Sequence, residues 1–374
     1  MQMKDLLNQL RDDLPHTLNL LEAMVNMDSP SDDKSLVDKF VRFVGSQFLS
    51  IGGAVEYVPV EKFGDQLVAR FDGPSAERLL ILGHTDTVFP AGEAQKRPFS
   101  IVNGRAMGPG VFDMKGGIVL ILSALKALGT LSRPVTVLLT SDEEMGSGSS
   151  RQIIQDEANR ARAVLVLEPS LPGGALKTAR KGVGHFTIMA AGRAAHAGID
   201  PSRGINAIQE IAHQILALQR MPDPERGTTV TVGVVRGGSR ANVVPAEAAV
   251  EVDVRITSTE EAARVTEAIR TLQPHVPGAT LHIRGGINRP PMERTTDIAR
   301  LFEVARRIGE ELGLDLQEGS TGGGSDGNFT AAMGIPTLDG LGPIGDGAHA
   351  LEEFIEVESL PERAALLAGL IMRI

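Results

Sequence analysis

Three strongly apolar segments of this 374-residue chain are each followed by side chains that bind metal ions. The apolar segments, each given with the polar residues that follow it, are residues 79–82 with His84, residues 135–140 with Asp142, Glu143 and Glu144, and residues 163–167 with Glu168. Short runs of leucine and β-branched residues with little alternation are typical of parallel strands buried on both faces. Ligands of such sheets gather at the carboxyl ends of the strands. The sequence therefore predicts a hydrolytic metal site at that edge of a sheet.

The residue types also match a hydrolase with two metal ions, which needs several ligands, a bridging carboxylate and a base for the shared water. The candidate ligands are His84, Asp113, Glu144, Glu168 and His349. Asp86 is placed to hydrogen-bond the second imidazole nitrogen of His84 and to fix its tautomer. The adjacent Glu143 and Glu144 cannot face one point equally, which favours a division between base and ligand. Each feature alone is usually structural, but together at the ends of buried strands they favour a site, because unpartnered charge there is costly.

The composition excludes several classes of site and partner. The absence of cysteine excludes disulfides, thiol nucleophiles and Cys-ligated zinc. A net charge of −10, a single tyrosine and no tryptophan argue against nucleic acid and anionic membranes as partners. The apolar runs are shorter than the roughly 20 residues that span a bilayer, and the first residues lack the features of a signal peptide. We expect a cytoplasmic protein, with the reservation that a processed mature chain would look the same.

The predicted elements favour an α/β protein of two domains, because the chain is too long for one ordinary core. Residues 1–180 alternate helices with buried strands, and α/β character returns over residues 291–374. Residues 181–290 predict the ferredoxin-like order βαββαβ. Its predicted elements are strands over 185–190, 228–235, 248–256 and 280–284, helices over 203–219 and 258–272, and a closing turn over 285–291. The simplest topology inserts this middle domain into the larger one.

An ordered series of motifs extends over nearly the whole chain. The motifs are GHTDTV at 83–88, GPGVFDMKGG at 108–117, DEEMGS at 142–147, EP at 168–169, AHAG at 195–198 and TGGGSD at 321–326. The series closely resembles the M20 metallopeptidase family, and most of all its glutamate carboxypeptidase branch. One departure is Met114, where many relatives have an acid, but that position is not a ligand in the family pattern. The resemblance implies a zinc-exopeptidase-like catalytic domain with an inserted lid that also forms a homodimer.

The resemblance also implies a ligand set for two zinc ions per subunit, with cobalt or manganese as alternatives. His84 and Glu168 would ligate one ion, Glu144 and His349 would ligate the other, and Asp113 would bridge both. These assignments come from the matching motifs, residue by residue.

Catalytic and substrate-binding roles follow from the same resemblance. Glu143 would be the general base, and Asp86 would support His84. In the lid, His196 would reach the active site of the neighbouring subunit and stabilise the oxyanion, while Asn242 would contact substrate. The clamp for the free carboxylate of the substrate would consist of Arg289 with the backbone of Gly322, Gly323 and Gly324.

The activity that this set predicts is hydrolysis, by a metal-bound water, of the amide bond to a C-terminal amino acid such as glutamate. The substrates would be small peptides or N-acyl amino acids. An N-acyl-amino-acid amidohydrolase would use the same site and stays open as an alternative. A metal-free binding or scaffolding relative is a third hypothesis, which the intact ligand set opposes.

Overall fold

The computed structural model describes residues 2–374, and these form two compact units. The larger unit contains the residues through Ala179, together with Arg294–Thr321 and Ser325–Ile374. The smaller unit contains Arg180–Glu293 and Gly322–Gly324. Arg180 and Met292, near the two ends of the smaller unit, exchange backbone hydrogen bonds of 3.0 Å in both directions. The two ends of the inserted segment are therefore neighbours.

The α-helices of the described residues are α1 (Met3–Asp12), α2 (Leu14–Val25), α3 (Lys34–Ser50), α4 (Glu93–Lys96), α5 (Gly116–Leu128), α6 (Arg151–Ala158), α7 (Ala207–Leu218), α8 (Thr259–Arg270), α9 (Thr296–Leu312), α10 (Gly327–Ala332) and α11 (Ser359–Arg373). The longer strands are β1 (Ala54–Val58), β2 (Gln66–Phe71), β3 (Arg78–His84), β6 (Val135–Thr140), β7 (Ala161–Val166), β8 (Leu176–Arg180), β9 (Gly182–Ala191), β11 (Thr229–Gly237), β13 (Glu247–Ile256), β14 (Thr280–Arg289) and β15 (Glu318–Thr321). Short strands are β4 (Ser100–Val102), β5 (Arg105–Met107), β10 (Ala195–His196), β12 (Val243–Val244), β16 (Thr337–Leu338), β17 (Gly345–Asp346) and β18 (Phe354–Glu356).

A six-stranded sheet in the order β1-β2-β6-β3-β7-β16 forms the centre of the larger unit. Strands β6, β3, β7 and β16 are parallel, whereas β2 runs antiparallel to β6 and β1 antiparallel to β2. The carboxyl ends of β3, β6 and β7 therefore meet at one edge. This confirms the α/β fold class and explains why the strand-end residues converge.

Both faces of this sheet are covered, which is why its strands are apolar without alternation. Leu80 and Leu82 of β3 pack on one face with Phe329 of α10, and Leu79 and Ile81 face the cluster on the other side. That second cluster includes residues of α5 and of the C-terminal helix α11, which pack against each other. Burial on both faces holds the strand ends in fixed positions.

The smaller unit has a four-stranded antiparallel sheet in the order β11-β13-β9-β14. Helices α7 and α8 pack on it through residues such as Ile211 and Val265, against sheet residues such as Phe186 and Val252. In chain order the elements are β9, α7, β11, β13, α8 and β14. This is the ferredoxin-like βαββαβ order that the sequence predicts.

Two boundaries in the smaller unit differ from the sequence prediction by four or more residues. Helix α7 begins at Ala207 rather than near residue 203, because the Asn206 side chain accepts a hydrogen bond of 3.0 Å from the Gln209 N–H and caps the helix there. The prediction that Arg289 lies in a turn is wrong, since Arg289 is the last residue of β14 and pairs with Val183. Gly285 permits this extension, because it has φ +101° and a Cβ there would lie 2.1 Å from the carbonyl oxygen of His185.

Among the helices of residues 2–374, none is long and apolar enough to cross a membrane.

Candidate metal centre

Three of the predicted ligands lie at the ends of neighbouring parallel strands. His84 is the last residue of β3, Glu144 lies in a 3₁₀ turn (Glu143–Met145) just after β6, and Glu168 follows β7 by two residues. The Nε2 atom of His84 lies 3.5 Å from Oε1 of Glu168. Sheet geometry alone therefore brings these side chains to one place.

Asp113 lies between two separate groups of side chains. Its Oδ1 atom is 3.0 Å from Nε2 of His84, and its Oδ2 atom is 3.3 Å from Nε2 of His349. The same His349 nitrogen is 3.2 Å from Oε2 of Glu144. One carboxylate thus faces the His84 and Glu168 group with one oxygen and the His349 and Glu144 group with the other.

Irregular backbone carries Asp113 and His349. Asp113 lies in a π-helical turn (Val111–Lys115) that leads into α5, and its own φ and ψ of −117° and 97° are not helical. His349 lies in the loop of the β17–β18 hairpin with φ +65°, and Gly347 before it has φ +80°. These positive φ values turn the loop tightly enough for the half-exposed imidazole to contact Asp113.

Asp86 connects a predicted ligand with the predicted base. The Nδ1 atom of His84 is 2.9 Å from the backbone oxygen of Asp86 and 3.4 Å from its carboxylate. The two carboxylate oxygens accept backbone N–H bonds of 3.2 Å from Glu143 and from Glu144, and Oδ2 also accepts 2.8 Å from the Ser31 hydroxyl. Because oxygen atoms of Asp86 lie around Nδ1, a metal ion bound at Nε2 would leave the single imidazole proton on Nδ1.

The electrostatics of the cluster favour positive charge at its centre. Burial opposes a charged His84, yet hydrogen bonds to Asp113 and Asp86 raise its pKa well above the usual value. Hydrogen bonds to Asp113 and then to Glu144 raise the pKa of His349 to about 10. Burial also opposes ionisation of Asp113, but the two imidazoles hold its pKa well below the usual range. Divalent cations would supply this positive charge in the same place.

The donor atoms form two groups that could each hold a divalent metal ion, and both groups include His84. Ligand atoms of His84, Asp113 and Glu144 lie within 4.8 Å of one another, as do those of His84, Glu143 and Glu168. The Oε1 atom of Glu144 is buried with no hydrogen-bond partner among residues 2–374, which is unusual for a carboxylate oxygen that does not bind a cation. Imidazole and carboxylate donors are typical of catalytic zinc, cobalt and manganese sites.

The sequence patterns miss several residues that hold this centre. The ammonium group of Lys115 is buried and donates to the backbone oxygens of Met27 (2.7 Å) and Pro109 (3.2 Å), and burial lowers its pKa to about 8. The sulfur of Met114 accepts the His84 N–H at 3.1 Å. The Glu353 carboxylate is buried beside the turn that carries Asp113. Nothing in the sequence distinguishes Glu353 from the exposed Glu352 beside it.

His196 and Asn242 lie together in the smaller unit. His196 is exposed in β10, which pairs with β12, and the Ala197 N–H donates to the Asn242 backbone oxygen at 2.9 Å. The Nδ1 atom of His196 accepts N–H bonds from Gly198 (3.1 Å) and Ile199 (3.2 Å). The imidazole proton of neutral His196 is therefore on Nε2, which makes Nε2 a hydrogen-bond donor.

The predicted carboxylate clamp also belongs to the smaller unit. Arg289 is buried at the end of β14. The carbonyls of the glycine segment are held by arginines, since Arg180 donates to Gly323 (3.2 Å) and Gly324 (3.3 Å) and Arg255 donates to Gly322 (3.3 Å). A Cβ atom at Gly322 or at Gly323 would meet nothing within 4 Å, so this backbone is open to an approaching group.

Comparison with known proteins gives the family of the chain. Residues 80–373 match the model of peptidase family M20/M25/M40. The chain belongs to this family. It is 31% identical over 372 residues to carboxypeptidase G2 of Pseudomonas sp. (strain RS-16), an alignment that covers 96% of this chain and 90% of that protein. These matches confirm the family resemblance inferred from the motifs, and with it a metallo-hydrolase.

Other proteins similar to this chain have different activities in their names. Acetylornithine deacetylase of Erwinia tasmaniensis is 29% identical over 393 residues, covering 96% of this chain and 97% of that protein. Aminopeptidase PepT of Bacillus cereus has the same fold, with a TM-score of 0.77 at 23% identity over 96% of this chain and 98% of that chain. Membership of the family therefore leaves the substrate open.

Proposed function

We propose that this M20-family hydrolase is a dizinc carboxypeptidase that removes a C-terminal amino acid, with glutamate as the preferred residue. The observation that carries the proposal is the position of Asp113, whose two oxygens lie 3.0 Å from His84 and 3.3 Å from His349. A single carboxylate shared by two ligand groups is what a two-metal hydrolase requires. Support for the carboxypeptidase assignment comes from the 31% identity to carboxypeptidase G2.

The residues of the centre divide into two ligand groups around Asp113. His84 and Glu168 would hold one ion, Glu144 and His349 would hold the other, and Asp113 would contact both. Zinc ions bound there would polarise a water molecule and the scissile carbonyl. Asp86 keeps the proton of His84 on Nδ1, so that Nε2 stays available as a ligand.

Glu143 is the proposed general base and then the general acid. Its backbone N–H donates to Asp86, which holds the residue beside His84 and Glu168. The Glu143 carboxylate takes a proton from the attacking water and delivers it to the nitrogen of the leaving amino acid. Glu144, one residue later, acts as a ligand because its carboxylate contacts His349 instead.

The smaller unit is proposed to act as a lid and as the interface of a homodimer. In such a dimer His196 would serve the centre of the neighbouring subunit and stabilise the oxyanion of the tetrahedral intermediate. The Nε2–H of His196 suits that role, because both N–H bonds from the backbone go to Nδ1. Asn242, whose carbonyl is bonded beside His196, is proposed to contact the same substrate.

The free α-carboxylate of the substrate is proposed to bind Arg289 and the backbone of Gly322, Gly323 and Gly324. An arginine fork and exposed N–H groups both match a carboxylate better than an amide. The substrates would then be small peptides or N-acyl amino acids with a free α-carboxylate. Arg289 alone cannot bind both carboxylates of glutamate, so the preference for glutamate is a separate claim.

The second candidate function is N-acyl-amino-acid amidohydrolysis. The 29% identity to an acetylornithine deacetylase over nearly the full length of both chains favours this alternative. It would use the same centre, the same base and the same carboxylate clamp. Only the group on the acyl side of the bond differs.

A panel of five compounds tests both candidates. The panel contains benzoyl-glutamate, acetyl-glutamate, benzoyl-alanine, alanyl-glutamate and the α-amide of benzoyl-glutamate, each assayed for kcat/KM with zinc-loaded protein. We expect hydrolysis of the glutamate acids and at least 100-fold slower hydrolysis of the α-amide. Equal rates for acid and α-amide would contradict the clamp. A clear preference for acetyl-glutamate over alanyl-glutamate would favour the amidohydrolase.

A further inference from the structure

The buried carboxylate of Glu353 accepts three backbone N–H bonds from the segment 110–113, which begins the turn that carries Asp113. Its Oε1 atom accepts N–H bonds from Phe112 at 2.7 Å and from Asp113 at 2.8 Å. Its Oε2 atom accepts the N–H of Gly110 at 2.9 Å. Glu353 is fully buried, so water does not share these bonds. The backbone of Asp113 is thus held by a side chain from a segment 240 residues later.

Glu353 also lies at the base of the hairpin that carries His349. The hairpin pairs Asp346 of β17 with Phe354 of β18, and His349 lies in the loop between them. Strand β18 pairs in turn with β5, in which Met107 lies opposite Phe354. The chain that leaves β5 enters the turn with Asp113, so Glu353 connects the two irregular segments of the centre.

A further buried acidic charge close to Asp113 is costly, because burial and repulsion both oppose its ionisation. The backbone N–H groups of a tight turn can be satisfied more cheaply by backbone oxygens or by water. A Glu353 carboxylate differs from a backbone oxygen or a water molecule because it offers two oxygens on a side chain fixed to the hairpin that carries His349. The arrangement therefore favours a role in geometry over a role in stability.

We propose that Glu353 is a positioning residue that sets the separation of Asp113 and His349, and thereby the affinity of the centre for its second metal ion. This inference rests on the proposed two-metal function of the same site. Glu353 itself would touch neither metal nor substrate. Its effect passes through the backbone of Gly110, Phe112 and Asp113, which orients the shared carboxylate toward both imidazoles.

Glu353→Gln is the sharpest variant, because it keeps size and shape while it replaces one acceptor oxygen by an NH₂ group. If the remaining oxygen accepts from Phe112 and Asp113, the NH₂ group faces the N–H of Gly110, and two donors then oppose each other. Glu353→Asp keeps the charge and shortens the reach. Glu352→Gln is the matched control, since Glu352 is the exposed neighbour with the same change of charge.

The measurement is binding of Co²⁺ to the metal-free full-length protein, followed by calorimetry and by the visible absorption of bound cobalt. We expect wild type and Glu352→Gln to bind two ions with the same affinities. In Glu353→Gln the affinity for the second ion should fall 10- to 100-fold, as is typical when the partner of a ligand is changed. In Glu353→Asp the affinity for the second ion should fall by a smaller factor. Excess metal should restore part of the lost kcat in both variants.

Unchanged cobalt affinities and an unchanged cobalt spectrum in Glu353→Gln would overturn the inference, even if that variant were less stable. If Glu353→Gln does not fold, judged by circular dichroism, Glu353→Asp decides by the same criterion. A wild-type protein that binds only one ion would overturn both this inference and the proposed centre. Two ions in wild type, weaker binding in Glu353→Gln and no hydrolysis of any panel compound would leave the inference standing and contradict the proposed function alone.

Discussion

Asp86 accepts the backbone N–H of Glu143 at 3.2 Å with the carboxylate that also lies 3.4 Å from Nδ1 of His84. One buried side chain therefore orients a proposed metal ligand and the segment that carries the proposed base. The second oxygen of Asp86 does the same for Glu144 and bonds Ser31. Ser31, Glu143 and Glu144 all donate hydrogen bonds to Asp86, so its carboxylate acts as an acceptor for each of these contacts.

Asp86→Asn is predicted to lower kcat/KM about 10- to 100-fold and to weaken metal binding to a similar extent. The NH₂ group of asparagine would oppose one of the N–H donors that now bond the carboxylate, and His84 would lose part of its tautomer control. Steady-state kinetics with benzoyl-glutamate and calorimetric zinc titration measure the two effects. Asp72→Asn, an exposed change of the same kind, serves as the control. Wild-type kinetics in Asp86→Asn would show that Asp86 does not support the centre.

Glu143→Gln is predicted to retain both metal ions and to lose about 10²–10⁴-fold in kcat, because glutamine cannot accept a proton from the water. Elemental analysis together with turnover of benzoyl-glutamate separates the loss of the base from the loss of metal. A variant that loses one metal ion together with its activity would identify Glu143 as a ligand. The elemental analysis has to exclude that outcome, because ligand atoms of His84, Glu143 and Glu168 lie within 4.8 Å of one another.

Mixing two inactive variants tests whether His196 acts across a dimer. We expect His196→Ala and Glu143→Gln each to be nearly inactive, whereas a mixed dimer combines one intact centre with one intact His196. After subunit exchange, an equimolar mixture should therefore regain up to about a quarter of the wild-type activity. Half of the molecules in such a mixture are mixed dimers, and each of these has one working centre.

Two further results would count against action across a dimer. One is a mixture that stays inactive while sedimentation shows a stable, exchanging dimer. The other is a wild-type protein that sediments only as a monomer at micromolar concentration. The edge strand β11 with exposed Val235, and exposed Leu216 on α7, give the smaller unit an apolar edge for such contacts.

Glu261→Gln is predicted to destabilise the smaller unit in a pH-dependent way. The hydrogen bond from Arg264, with further bonds from Thr228 and Arg226, lowers the pKa of the buried Glu261 from its ordinary value of 4.5 to about 2. Its stabilisation is thus fully present above about pH 5 and disappears as the pH falls from 4.5 toward 2. The free energy of unfolding should differ from wild type by about 2 kcal/mol at pH 7.

Hydrogen exchange of α8 at several pH values measures this difference within the smaller unit. The gap between wild type and Glu261→Gln should close near pH 2. Glu260→Gln provides the comparison, because Glu260 is exposed beside it and its bond to Arg226 is at the surface. A gap that is the same at pH 3 and at pH 7 would contradict the assigned cause.

Much of the centre follows from strand periodicity. The apolar runs before His84, Glu144 and Glu168 predict parallel strands, and the carboxyl ends of parallel strands must share an edge. The βαββαβ order of the smaller unit could be predicted from the alternation of apolar and polar residues along its strands. It could also be predicted from the helix cap at Ser258, whose side chain accepts the Glu261 N–H. These are local signals, and the elements that they predict are regular.

The remaining parts of the centre depend on irregular backbone. Asp113 lies in a π-helical turn and His349 in a loop with positive φ, and neither conformation has a periodic signature in sequence. Their residue types made Asp113 and His349 candidate ligands, but only the family resemblance implied which metal ion each would bind. At Arg289 a local signal gave a wrong prediction. Glycines that usually mark a turn permit a bulged strand to continue there. Glu353 had no signal, since its partners are backbone groups about 240 residues away.

The neighbouring ends of the inserted segment have a consequence for the order of events on the ribosome. Arg180–Glu293 is nearly self-contained, so it can acquire its own core while later residues are still being synthesised. The larger unit cannot be completed then, because β16, the His349 loop and helix α11 are all encoded after the insertion. A nascent chain that ends before the His349 loop therefore lacks one of the five proposed metal ligands. The proposed centre would therefore bind both metal ions only after the last part of the chain has been synthesised.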